Sequence, residues 1–258
     1  MGGSRSRRGS WSRRTAVGTA VIGGAVLLAA CGSSSSSSTT TTGATATTAA
    51  GGSDAAAKLD TLAGNVKSAQ QSTFRAVYTS SSGGSSSTIT LAQAPPKQLF
   101  SATDSSGSTT SLIDTGTTTY SCSGGGSSTV TCTSIGGKVA GAALTSLINV
   151  YNGSTALTVF NAWRSAIVAR VAGVSLNFTD TTIAGQPSTC ANWSRSGDTA
   201  TYCVTSSGVL AKVEASGGSS GSGTSFELTS YSSSPPASSF AVPAGATVVT
   251  LPGGVSVP

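Results

Sequence analysis

The sequence predicts an α+β domain, an antiparallel sheet with helices packed against it, carried behind an export signal and a tether. Three observations predict it. Between residues 74 and 133, short runs of strand-like sequence are separated by Gly and Ser clusters, the pattern of hairpins joined by turns. Around residues 59–69 and 144–167 the apolar residues fall instead at helical spacing. Strand-like runs then resume from 174 to 232, so the order is helix, strands, helices, strands.

The chain opens with Arg5, Arg7, Arg8, Arg13 and Arg14, and residues 16–30 carry no charge. A positive region before an uncharged run too short to span a membrane is the layout of a secretory signal, so residues 1–30 are expected to be removed. All five arginines precede Cys31 and none of the eight Asp and Glu does, which leaves nine basic and eight acidic groups. The net charge falls from +6 to about +1, and the pI of 9.3 reports the signal. No basic run interleaved with aromatics follows, so no nucleic-acid partner is expected. Residues 31–53 are almost entirely Ser, Thr, Gly and Ala. Such a stretch buries too little apolar surface to offset its ordering entropy and reads as a flexible tether. Residues 54–258 are long enough for a domain with a sizeable core.

Within that domain Leu59, Leu62, Val66 and Ala69 recur at helical spacing after Ser53 and Asp54, which can cap a helix start. Phe74, Ala76 and Tyr78 alternate with Arg75, Val77 and Thr79 as on a strand with one buried face. Further strands are predicted at 88–92, 98–102, 108–113, 117–122 and 129–133. Leu144, Leu147, Ile148 and Tyr151 lie at i, i+3, i+4 and i+7, and Val159, Phe160, Trp163, Ala166 and Ile167 repeat that spacing. Two amphipathic helices joined by a tight turn at Asn152, Gly153 and Ser154 are the reading. Strands resume at 174–184, 188–194, 199–205, 209–215 and 225–232, with Ser207 and Gly208 as a two-residue hairpin turn.

Besides Cys31 there are Cys122, Cys132, Cys190 and Cys203. An even set in an exported chain reads as two disulfides, for which three connectivities are open. Pairing Cys122 with Cys132 and Cys190 with Cys203 is favoured, because each pair flanks a turn-rich segment between strands and facing hairpin residues lie within disulfide reach. With no histidine and no Cys-x-x-Cys pair, neither a metal site nor a cofactor is expected.

Leu28, Ala29, Ala30, Cys31 and Gly32 resemble the bacterial lipobox. The resemblance implies diacylation of the Cys31 thiol by palmitate or a similar chain, cleavage after Ala30, and anchorage on the extracytoplasmic face of the cell membrane. The element order, with residues 74–78, residues 88–93 leading to Pro95, Pro96 and Lys97, then Tyr202, Cys203, Ser207, Gly208 and Val209, and finally Phe240, Pro243, Ala244, Gly245 and Ala246, is similar to the LolA-like domains of periplasmic lipoprotein carriers and of glycolipid-carrying mycobacterial lipoproteins. That resemblance implies a curved antiparallel sheet, a half-barrel, with helices on its concave face and an apolar cavity for acyl chains. The carriers use an inward arginine in ligand release. Arg75 lies on an early strand but is not matched to that position, so no role is carried over to it.

Catalysis is not expected. The usual general base and the serine triad need a histidine, and the chain has none. Gly217, Ser219 and Gly221 spell a nucleophile elbow inside a Gly/Ser linker, and Gly136, Gly137 and Lys138 lack the rest of a phosphate loop. Two functions follow from the resemblance. One is a carrier of a lipid or acylated molecule, with Leu144, Leu147, Ile148, Tyr151, Phe160, Trp163 and Ile167 lining its cavity. The other is a structural or regulatory lipoprotein with a filled core that acts through contacts with an envelope protein partner.

Overall fold

Ala55, Leu59, Leu62, Val66 and Ala69 repeat every three or four residues, and all five are buried along one side of the helix α1 (Gly52–Ala69). The computed structural model describes residues 52–126, 128–135, 138–217 and 223–250. Cys31, the export signal and the tether to residue 51 lie outside the described residues, as do Gly136, Gly137, Ser219 and Gly221. Helix α1 starts at Gly52, so Ser53 and Asp54 sit in its first turn, where the carboxylate of Asp54 complements the helix dipole.

The strands are β1 (Phe74–Ser82), β2 (Ser85–Ala94), β3 (Lys97–Asp104), β4 (Ser108–Asp114), β5 (Thr119–Gly125) and β6 (Ser128–Ile135), then β7 (Val174–Ile183), β8 (Gln186–Arg195), β9 (Asp198–Thr205), β10 (Leu210–Ser216), β11 (Thr224–Ser232) and β12 (Thr247–Thr250). Among the described residues all twelve join one open sheet in the order β12-β6-β5-β4-β3-β2-β1-β11-β10-β9-β8-β7. Two meanders, β1 to β6 and β7 to β11, therefore meet where β1 pairs with β11. Helices α2 (Lys138–Asn149) and α3 (Thr155–Val168) connect them. The result is the α+β architecture expected, a curved half-barrel with its helices on the concave face.

Alternation along the strands gives each side its own core. On the helix side, Phe74, Ala76, Tyr78 and Leu91 pack with Leu59, Leu62, Val66, Phe160 and Trp163. On the other side, Ala92, Leu99, Ile113, Cys122 and Cys132 pack with Phe240. After β11 the chain passes through a short 3-10 turn (Ala237–Phe240) against β3 and runs on to β12 beside β6. This crossing covers the convex face of β2 to β6 and delivers β12 parallel to β6, the one departure from antiparallel pairing among the described strands.

Helix α1 is fastened to the sheet by a buried amide. Gln93 Nε2 donates to the carbonyls of Ala69, at 3.0 Å, and of Ser72, supplying partners that the end of a helix lacks. Between β9 and β10 the turn differs from the expected one. Thr205 N–H donates to the Val209 carbonyl, and Gly208 N–H donates to the Thr205 carbonyl. The loop therefore holds three residues, with Gly208 at φ 84°, the type I turn plus left-handed residue that three-residue hairpins favour.

Both disulfides have the expected pairing. Cys122 faces Cys132 and Cys190 faces Cys203 in register, with Cα–Cα distances of 4.0 and 3.9 Å. Each closes a short loop, so replacing Cys190 and Cys203 together by serine should cost about 3 kcal/mol, read as a lower urea midpoint. Peptide maps of the unreduced protein should recover these two links. A link from Cys122 to Cys190 or Cys203 would contradict the registers.

Candidate functional site

The concave face carries a row of aromatic rings contributed by strands and helices alike. Tyr78 on β1 stacks on Phe226 of β11 with ring centroids 4.2 Å apart. Phe226 lies 5.8 Å from Tyr151, and Tyr151 lies 5.3 Å from Phe100 of β3. Beside this row, Trp163 stacks on Trp193 of β8 at 5.3 Å and meets Tyr202 of β9 edge-on at 5.5 Å, while Phe160 lies 5.9 Å from Tyr202. Such pairs contribute about 0.5–1.5 kcal/mol each beyond their buried area.

A β-bulge completes the row. Val77 pairs with Ser230 and Tyr78 with Leu228, so Thr229 is the extra residue, and its hydroxyl donates to the Val77 carbonyl at 3.1 Å. The bulge shifts the alternation by one. Leu228 before it and Tyr231 after it thus share a face with Tyr78 and Ala76. Uniform alternation along β11 would have turned Tyr231 outward.

The helical segment over this face is broken in its middle. Residues Val150–Ser154 form a single π turn, and Gly153 there is non-helical at φ 115°, ψ 8°. A β-carbon at Gly153 would collide with Val66 Cγ1 of α1, so glycine is required both for the backbone turn and for the approach of the two segments. Helix α2 packs over β3 and β4, held in part by Thr145 Oγ1 donating to Gln98 Oε1 at 2.9 Å. Helix α3 packs against α1, with Arg164 and Asp60 paired at their exposed edge.

The seven residues expected to line a cavity lie on this segment. Leu144, Ile148, Phe160 and Trp163 are buried, and Leu147, Tyr151 and Ile167 are half-buried. Tyr151, Phe160 and Trp163 join the α1 core, whereas Ile167 lies at the other end of α3, next to Gly52. A depression of about 160 Å³ opens elsewhere, between α1 and the β7 to β9 strands, lined in part by Leu62, Asn65, Asp180, Thr189 and Thr205. It touches none of the seven, and it is smaller than the roughly 300–1,000 Å³ of ordinary ligand pockets.

The concave interior holds neutral polar groups. Burial pushes the phenols of Tyr151 and Tyr202 above their ordinary range, and Tyr78 furthest, with Tyr231 adding to the rise. Lys58 lies over the Phe178 ring at 5.3 Å, a cation–π contact at the margin of the core. Among the described residues no three His, Cys, Asp or Glu side chains gather to hold a metal ion, and no helix is long and apolar enough to cross a membrane.

No protein family and no curated protein sequence matches this chain. Among solved structures it is similar to MucB in the MucA/MucB complex of Pseudomonas aeruginosa, with TM-score 0.44 and 16% identity over 77% of this chain and 64% of that one. A crystal structure of MucB gives 0.44 and 13% over 75% and 66%. An uncharacterized conserved protein from Thermus thermophilus gives 0.39 and 7% over 75% and 99%. The chain thus spans slightly less than two thirds of the MucB chains. At these scores and identities the neighbours assign neither a ligand nor a partner to it.

Proposed function

We propose that the chain is a non-catalytic bacterial lipoprotein, anchored through Cys31 on the extracytoplasmic face of the cell membrane, whose domain binds a lipid or acylated molecule on its concave face. The observation that carries this reading is the broken helical roof: α2 and α3 cover an aromatic concave face and part at the π turn Val150–Ser154. Movement of α2 about that break would admit a chain between the helix and β3 without unfolding the α1–α3 core. π turns within helices occur often at functional sites. Each Å² of acyl surface buried there would contribute about 25 cal/mol. The LolA-like resemblance of the sequence supports the same use of the face.

A second reading, a scaffold that acts through an envelope protein partner, is favoured by the burial of Leu144, Ile148, Phe160 and Trp163, which are placed as core residues usually are. Leu147→Trp separates the two. Leu147 is half-buried on α2, and Ala143 on the same helix is exposed. For a carrier, Leu147→Trp should lower the amount of lipid that co-purifies, while Ala143→Trp leaves it unchanged. Equal lipid content in the two variants would remove the α2 site.

A further inference from the structure

The Tyr78 hydroxyl is the only buried side-chain polar atom among the described residues without a hydrogen-bond partner. Tyr78 is fully buried in β1, with its ring stacked on Phe226. Leaving such a hydroxyl unpaired forfeits the hydrogen bonds it would make in water, a cost that phenylalanine in the same place would avoid. Ring contacts lead from it through Phe226, stacked on Tyr78, to Tyr151, tilted against Phe226 and half-buried in the π turn where the helical roof parts.

The charged groups of the surrounding elements point elsewhere. Arg75 alternates onto the opposite face of β1 from Ala76 and Tyr78. Glu227 of β11 lies beside Lys212 of β10, which also pairs with Glu214, and register puts all three on that same opposite face. On the helices, Asp60 and Arg164 pair at the surface, and Lys58 sits over Phe178. A carboxylate or phosphate next to Tyr78 would therefore be buried without a cation, which is costly. A neutral carbonyl needs only the donor that Tyr78 provides.

We infer that the Tyr78 hydroxyl donates to the neutral carbonyl of an acyl ester held among Phe100, Tyr151 and Phe226, and so selects acyl esters over free fatty acids. The inference rests on the concave face being the lipid site. Methyl oleate and oleate, titrated into the full mature protein and its Tyr78→Phe variant at pH 8, test it. The unaltered protein should bind methyl oleate at least about tenfold more tightly than oleate. Tyr78→Phe should weaken methyl oleate binding by about tenfold and raise the thermal midpoint of the lipid-free protein. Unchanged methyl oleate binding by Tyr78→Phe, or a preference of the unaltered protein for oleate, would overturn the role of Tyr78 and leave the lipid site standing. Failure of both proteins to bind either probe would overturn the lipid site and this inference together.

Discussion

Gly208→Ala is expected to destabilise the domain by about 3 kcal/mol, although it adds one methyl group to a hairpin turn. Gly208 is buried at φ 84°, where an alanine is strained, and its β-carbon would land on the backbone carbonyl of Asn65 in α1. Left-handed strain costs about 1–2 kcal/mol, and forcing a packed helix backbone to shift adds about 1–3 kcal/mol more. For a domain of this size the melting midpoint should fall by roughly 10 °C. Gly197, in the β8–β9 turn at φ 91°, has open space around it. Gly197→Ala should therefore show the strain alone, about 1 kcal/mol. Equal losses in the two variants would mean that the approach of the β9–β10 turn to α1 contributes nothing.

Cys31→Ala should release the protein from the membrane fraction or leave it unprocessed at the signal. The thiol is where the lipobox resemblance places the acyl chains, and each buried methylene contributes about 0.8 kcal/mol. One chain binds a membrane only marginally, while two or three anchor it stably. The domain supplies no spanning helix among its described residues, and the charge after cleavage is close to neutral, which gives little electrostatic attraction to anionic lipid. Fractionation with an immunoblot reads the outcome. A Cys31→Ala protein that is still cut and still membrane-bound would refute the anchor.

The sequence showed most of what local pattern can show. The stripe from Leu59 to Ala69 and the alternation of Phe74, Ala76 and Tyr78 each answer to one element's period, and both appear as read, the stripe reaching one turn further back to Ala55. The cysteine pairs were legible because a hairpin is local. The rest depends on partners distant in sequence. Nothing near residues 237–250 says that this segment crosses the convex face to pair parallel with β6. The bulge at Thr229 breaks the period that would place Tyr231. The concave aromatic row joins β1, β3, β11 and the π turn, and the cluster beside it joins α3, β8 and β9, so Phe100, Phe226, Trp193 and Tyr202 could be assembled only once strand order was known. The break at Gly153 was visible as a turn, but not as a π turn seated against Val66.

A lipid held on the concave face is detected most directly by comparing the native and denaturing masses of the protein extracted from the membrane fraction. Any acyl chain covalently held on Cys31 would appear in both spectra, whereas a bound lipid would appear only in the native one. Binding on the concave face predicts a native mass that exceeds the denatured mass by one acyl-ester lipid. Identical masses, from protein whose fold is shown intact by its melting transition, would contradict it and leave the scaffold reading.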